Sequence, residues 1–280
     1  MNGRRLSLAL VRKQVGRIEM DELTLKLAVL IDADNAQPSI IEELLAEIAR
    51  FGEPTVKRIY GDFTAPTSSQ WKKVLNRFAI KPMQQFAYTT GKNATDSTLI
   101  IDAMDLLYTR RFDGFCLVSS DSDFTGLALR IREEGLTVYG FGEQKTPEAF
   151  RNACHKFILT ELLRPISGMP EVKQPPAEIS ATNAPKPTAQ AEDKARDVFP
   201  IEFFKEALEK ASDDSGWADL GNFGNYLTKL RPDFDPRSFG YKKLSDLIKA
   251  RTDIFNIEER KAGESGNAVI YISVKRPCGA

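Results

Sequence analysis

Residues 25–35 read LKLAVLIDADN. Leu25–Ile31 is a near-continuous apolar run, the pattern of a strand buried on both faces. Asp32 and Asp34 follow at once. Acids directly after a buried strand matter because open parallel sheets build their sites beyond the carboxyl ends of strands.

Further strand and helix patterns alternate outward from this run. Ser39-Ile-Ile-Glu42 reads as a capping box opening a helix to about Arg50, with Gly52 as its stop. Thr55–Tyr60 is the second strand, Ser69–Phe78 a helix, and Lys81–Tyr88 a third strand. Asp96–Tyr108 carries Leu99, Ala103, Leu106 and Leu107 as a helical stripe. Gly114–Ser119 is another buried strand, Phe124–Glu134 a helix closed by Gly135, and Thr137–Phe141 the last clear strand. The alternation predicts an α/β fold, a parallel sheet with helices on both faces.

Between Phe157 and Phe199 the composition changes. No aromatic residue occurs there, and Pro165, Pro170, Pro175, Pro176, Pro185 and Pro187 fall among Ala, Gln, Thr and Lys. Such a stretch buries too little apolar surface to offset its ordering entropy. The expected organisation is an extension at 1–23, an α/β domain at 24–165, a flexible linker at 166–196 and a second module at 197–276. In that module Phe199–Ala211 is a helix, and Phe255–Glu258 and Ala268–Val274 can pair as a hairpin. Helices followed by a hairpin predict a small winged helix.

Composition narrows the chemistry. The 280 residues hold 39 Lys plus Arg and 39 Asp plus Glu, so nucleic acid is not gripped by bulk charge. Cys116, Cys154 and Cys278 lack metal spacing, and an odd, scattered set is no disulfide framework. His155 is the only histidine, which excludes two-histidine mechanisms and HExxH zinc sites. Metal chemistry here must therefore be carboxylate chemistry with a hard cation. No apolar run approaches the roughly 18–20 residues of a membrane span. Arg4, Arg5, Arg12 and Lys13 flank the short Leu6–Val11 run, a poor signal peptide. It reads as an extension ahead of Met20 or as a basic arm, with the cytoplasm as the default location.

Three acidic groups fall at element ends. Asp32 and Asp34 lie in IDADN, Asp121 and Asp123 in SSDSDF, and Asp96 and Asp102 in TDSTLIID. Asp96 follows the loop Gly91-Lys-Asn-Ala-Thr95 and opens its helix. Asp102 lies six residues on, about 120° around the axis, so both need not enter one site. Converging carboxylates repel unless a divalent cation joins them. Each acid also has an ordinary use: Asp123 or Ser122 can cap the Phe124 helix, and Asp96 its own. Ser119 and Ser120 are candidate donors to phosphate, or ordinary loop serines, and Lys92 is a candidate RNA contact.

Taken together, IDADN, TDSTLIIDAMDLL, VSSDSDF and EEGLTVYGFG, in that order, resemble the NYN domain, a branch of the PIN-like nuclease fold. The resemblance implies a metal-dependent ribonuclease using Mg²⁺ or Mn²⁺. It implies Asp32, Asp96, Asp121 and Asp123 as catalytic and metal-binding residues, with Asn35 supporting them. Asp34 and Asp102 stand outside that set. Some PIN-like domains have lost cleavage, so a scaffold that only binds RNA is the non-enzyme alternative. A haloacid-dehalogenase-like phosphatase would also use Asp32-Ala-Asp34, but wants Thr or Val where Asn35-Ala36 stands. A receiver domain would leave SSDSDF unexplained.

The run DPRSFGYKKLSDLI resembles the LOTUS, or OST-HTH, domain over about 197–275. This implies RNA binding or docking to a protein partner. Arg237, Tyr241, Lys242, Lys243 and Lys249 cluster around the expected recognition helix and are the candidate RNA contacts. Residues 197–280 hold 13 Lys/Arg against 14 Asp/Glu, which leaves the module without a net basic field. Phe239, Tyr241 and Trp217 read as packing residues.

Overall fold

The structure is a computed structural model that describes residues 24–64, 69–86, 94–163, 199–261 and 268–275. The chain divides into two compact units between Cys154 and His155. The expected extension at 1–23 and linker at 166–196 lie outside the described residues, as do Lys92 and Cys278.

Six strands form one sheet: β1 (Lys26–Asp32), β2 (Glu53–Gly61), β3 (Lys81–Gln84), β4 (Gly114–Val118), β5 (Thr137–Gly142) and β6 (Lys156–Leu159). Their order across the sheet is β3-β2-β1-β4-β5-β6. The pairs β1–β2, β1–β4, β2–β3 and β4–β5 are parallel, as the apolar runs require. Every residue of β4, and all of β1 after Lys26, is buried. The order reverses between β1 and β4, so the crevice of an open sheet opens at their carboxyl ends.

Helices α1 (Ile41–Ile48), α2 (Ser69–Phe78), α3 (Ala94–Tyr108), α4 (Thr125–Glu133) and α5 (Glu148–Ala153) connect the strands. The stripe Leu99, Ala103, Leu106 and Leu107 of α3 is buried, as its spacing predicted. Among the described residues, no helix is long and apolar enough to cross a membrane.

Two local expectations fail for stated reasons. Ser39 is not a cap: Pro38 opens a 3₁₀ turn over Pro38–Ile40, and Ile40, with no side-chain cap bond, precedes α1. Pro fits there because the first turn needs no amide donor. Gly52 is not a helix stop either, since α1 ends at Ile48. Its lack of a side chain lets the chain cross the start of β1, where an added Cβ would sit 2.3 Å from the Leu25 carbonyl oxygen. α5 and β6 were not anticipated; six and four residues are too short to show a period.

The second module is built from α6 (Ile201–Ala211), β7 (Ala218–Asp219), α7 (Leu220–Leu230), α8 (Leu244–Ala250), β8 (Phe255–Lys261) and β9 (Ala268–Val274). Its sheet runs β7-β9-β8 and is antiparallel, one strand more than the expected hairpin. Phe204 is the centre of the core, with the rings of Phe199, Phe203, Phe223, Phe234, Phe239 and Phe255 around it. A 3₁₀ turn at Pro236–Phe239 ends on Gly240 at φ 84°, a left-handed position that favours glycine.

Substituting Gly52→Ala must push the Leu25 backbone away from its bond to Glu53 N, which is 2.7 Å long. The expected loss is about 1–3 kcal/mol, by analogy with overpacking, read as a lower urea midpoint at unchanged slope. A midpoint equal to wild type would contradict this account of Gly52.

Candidate active site

The site is assembled around Asp32, the last residue of β1, which is fully buried. Its Oδ1 accepts the backbone N–H of Asp34 at 3.0 Å. Its Oδ2 accepts Asn35 Nδ2 at 2.6 Å and Ser119 Oγ at 2.7 Å. A carboxylate removed from water needs such partners. Asn35 thus supports Asp32 directly.

Ser119 carries the connection to the next strand. Its hydroxyl proton goes to Asp32, while its oxygen accepts the Asp121 N–H at 3.1 Å. Asp121 then caps the 3₁₀ turn Ser122–Phe124, accepting the Asp123 N–H at 2.9 Å. The cap is therefore Asp121, not Ser122 or Asp123. Ser120 is buried and accepts the Glu143 N–H at 2.9 Å, tying the loops after β4 and β5. Both serines are buried and bind protein groups, the ordinary loop use that stood beside the phosphate contact among their readings.

The third acidic element is α3. Asp96 lies in its first turn. Asp96, Asp121 and Asp123 offer carboxylate oxygens that all lie within 4.8 Å of one another. Asp102 turns away: its carboxylate binds Arg58 and Tyr60 of β2, with Tyr60 Oη donating to Oδ2. It clamps α3 to the sheet two turns below Asp96, as their angular separation allowed. Burial and the Asp102 charge push the Tyr60 hydroxyl up, so it stays a donor at any ordinary pH.

The field at this edge is acidic. Asp96 is pushed up to about 6, by burial first and then by Asp32, Asp121, Asp123 and Asp34. Asp34 is raised by burial, then by Asp32 and Asp62. Asp62 was missed in the sequence although it follows β2 directly, the same signal that marked Asp32. Its Oδ1 accepts Thr64 N–H and Gln84 Nε2. Three carboxylate oxygens this close, in a field of further carboxylates, suit a hard divalent cation bound through oxygen. Asp32 differs from them, since both of its oxygens already accept protein donors.

In the second module, Arg237 forms bonds from Nε and Nη2 to the buried Asp235 carboxylate, the shortest at 2.7 Å. Phe239 and Tyr241 pack against the core. Lys242 and Lys243 are exposed just before α8.

Residues 26–162 match the sequence profile of the NYN domain, and residues 197–266 that of the OST-HTH/LOTUS domain. The chain carries an NYN domain followed by an OST-HTH/LOTUS domain. The acid cluster accordingly lies in the NYN domain. Three solved structures are similar to parts of this chain. An uncharacterized protein from Nitrosomonas europaea is 50% identical over 37% of this chain and 97% of its own, with a TM-score of 0.30. A protein of unknown function from Vibrio parahaemolyticus is 20% identical over 48% of this chain and 91% of its own, with a TM-score of 0.41. A Chromobacterium violaceum fragment is 32% identical over 29% of this chain and 84% of its own, with a TM-score of 0.24. No curated protein matches significantly.

The raised Asp96 carboxyl gives a signed pH dependence for the metal-free protein. Its folded value of about 6 exceeds the unfolded 3.8. Protonated Asp96 costs nothing below about pH 4, and the penalty grows as pH rises through 6. After allowance for solvent screening the full penalty is about 1 kcal/mol. Asp96→Asn should therefore melt about 2–4 °C above wild type at pH 8 in EDTA, and level with it at pH 4. A difference that is constant across this range would contradict the repulsion.

Proposed function

We propose that this protein is a divalent-metal-dependent ribonuclease acting on single-stranded RNA, with the OST-HTH/LOTUS domain presenting RNA or docking a protein partner. The observation that carries the reading is the approach of the Asp96, Asp121 and Asp123 carboxylate oxygens to within 4.8 Å of one another. They meet in an NYN domain, at the end of the sheet where its order reverses.

In this reading Asp96, Asp121 and Asp123 hold Mg²⁺ or Mn²⁺. Such an ion, when bound, supplies a Lewis acid for the phosphodiester and lowers the pKa of a water. Asp32 orients Asp121 and, through it, Asp123: Asn35 and the Asp34 amide fix its position, and Ser119 passes that position on to Asp121. In this reading water is the nucleophile, and among the described residues neither cysteine suits that role. Cys116 and Cys154 are buried, with both thiols pushed up, Cys154 to about 12. His155 is the single histidine and belongs to none of the acidic motifs. The free cysteines accord with a reducing cytoplasm. We assign 24–165 to the nuclease, 166–196 to a tether and 197–276 to the RNA- or partner-binding domain.

Labelled RNA and DNA oligonucleotides incubated with Mg²⁺, Mn²⁺ or EDTA test the reading. Cleavage should require the metal and favour single-stranded RNA, and Asp121→Asn should lower the rate about 100-fold or more while the protein stays folded. Full-rate cleavage in excess EDTA, or an equally active variant, would overturn the metal mechanism. An absence of cleavage under every metal would leave an RNA-binding scaffold. Removing 197–280 should spare cleavage of a short generic oligonucleotide.

A further inference from the structure

The β7-β9-β8 sheet of the second module turns one face to the core and the other away from it. Ile270, Ile272 and Val274 of β9 belong to the core around Phe204. Side chains alternate along a strand, so Val269, Tyr271 and Ser273 lie on the opposite face. Tyr271 pairs with Glu258 of β8 and with Asp219 of β7, which places Asn256, Glu258 and Arg260 on that same outer face. An arginine and two aromatic rings meet there. The Arg260 guanidinium lies 4.5 Å from the centre of the Tyr271 ring and 5.1 Å from that of Trp217, two residues before Asp219. Trp217, expected from the sequence to pack in the core, instead packs on Arg260 outside the core cluster.

All three residues are partly exposed. Neither the Trp217 indole N–H nor the Tyr271 hydroxyl bonds a group among the described residues, and neither is buried, so both polar edges reach water. Arg260 Nη2 donates to Glu258 Oε2 at 3.0 Å, and the charge of Asp213 also acts on it. With its charge answered inside the protein, the guanidinium offers a plane rather than a grip on phosphate. Unpaired bases stack on aromatic rings and guanidinium planes, and a sheet that carries them outside its core is one way of holding single-stranded RNA. A protein partner needs a dry apolar centre to its footprint. The neighbours here are Asp219, Asn256, Glu258 and Ser273, with Val269 the one aliphatic residue among them. Around α8 the expected RNA contacts are reduced, since Arg237 is bound to Asp235 and Tyr241 packs against the core.

We propose that Trp217, Arg260 and Tyr271 form the surface on which the OST-HTH/LOTUS domain stacks unpaired bases of single-stranded RNA. This rests on the reading that the domain presents RNA, and not on the chemistry of the acid cluster. A base in a duplex is already stacked on its neighbours, so the surface selects single strands.

The test uses the full chain in EDTA, labelled with fluorotryptophan, and a single-stranded RNA oligonucleotide. The chain holds two tryptophans, Trp71 and Trp217, so two fluorine resonances are expected, and Trp217→Phe assigns them. RNA should shift the Trp217 resonance saturably, and the same sequence as a duplex should not. In an anisotropy titration, Arg260→Ala and Trp217→Ala should each raise Kd about 5-fold or more, while Trp217→Phe stays within about threefold of wild type. The loss should be the same at about 50 and 300 mM KCl, because stacking is not screened. Should Trp217→Ala melt early, Arg260→Ala and the resonance shift of the unmutated chain decide. An unmoved Trp217 resonance at saturating RNA, a wild-type Kd for Arg260→Ala, or a loss that vanishes at the higher salt would each overturn the surface. An absence of RNA binding would overturn it too and leave the domain to a protein partner. Cleavage of the same RNA with Mn²⁺ separates the two readings. A shifted Trp217 resonance without cleavage would refute the nuclease and keep the surface, and metal-dependent cleavage with an unmoved resonance would do the reverse.

Discussion

A fully buried carboxylate at the end of the central strand organises the NYN domain's site. Asp32 has no contact with water, and its three donors come from two different loops. Two, the Asp34 amide and Asn35, belong to the turn after β1; the third, Ser119, belongs to the loop after β4. Leaving a buried carboxylate without partners is costly, so the two loops are held in register by the need to satisfy it. The same Ser119 oxygen receives the Asp121 amide, and Asp121 in turn fixes Asp123. Positioning thus runs from a residue that water cannot reach to residues that water can reach.

α3 brings the remaining acid by a separate clamp. Asp102 binds Arg58 and Tyr60 of β2, and this partly buried contact fixes how the helix lies on the sheet. Asp96 is then carried to the cluster in spite of the repulsion that raises its pKa. An apo site with unresolved like charge is less stable than it need be, a familiar trade between stability and function. In the second module charge is used differently. Arg237 is joined to the buried Asp235, and its guanidinium shapes the turn before α8.

Much of this was legible in the amino-acid sequence, and the limits have physical causes. The central strands announce themselves because both faces are buried, which leaves continuous apolar runs at Leu25–Ile31 and Gly114–Val118. Asp32, Asp121 and Asp123 stood out because they follow such runs closely, and Asp96 because it opens the helix that precedes the second of them. What stayed hidden depends on which strands become neighbours. The partners of Asp102, the reach of Asp62 and the inward turn of Ser119 follow from β2 and β4 flanking β1, a pairing that no local pattern encodes. The apparent capping box at Ser39 failed because Pro38 set up a 3₁₀ turn first. β6 and α5 are too short to display a period.

The central claim is that Asp96, Asp121 and Asp123 form one binding site for a divalent cation, organised by Asp32. Calorimetric titration of Mn²⁺ into the metal-free full chain at pH 7.5 addresses it without any substrate, comparing wild type with Asp121→Asn and Ser119→Ala. The account predicts saturable binding to wild type, affinity at least about tenfold weaker for Asp121→Asn, and a smaller loss for Ser119→Ala, whose acids are intact but less well held. Equal Mn²⁺ affinity in wild type and Asp121→Asn, or no saturable binding to wild type, would contradict it.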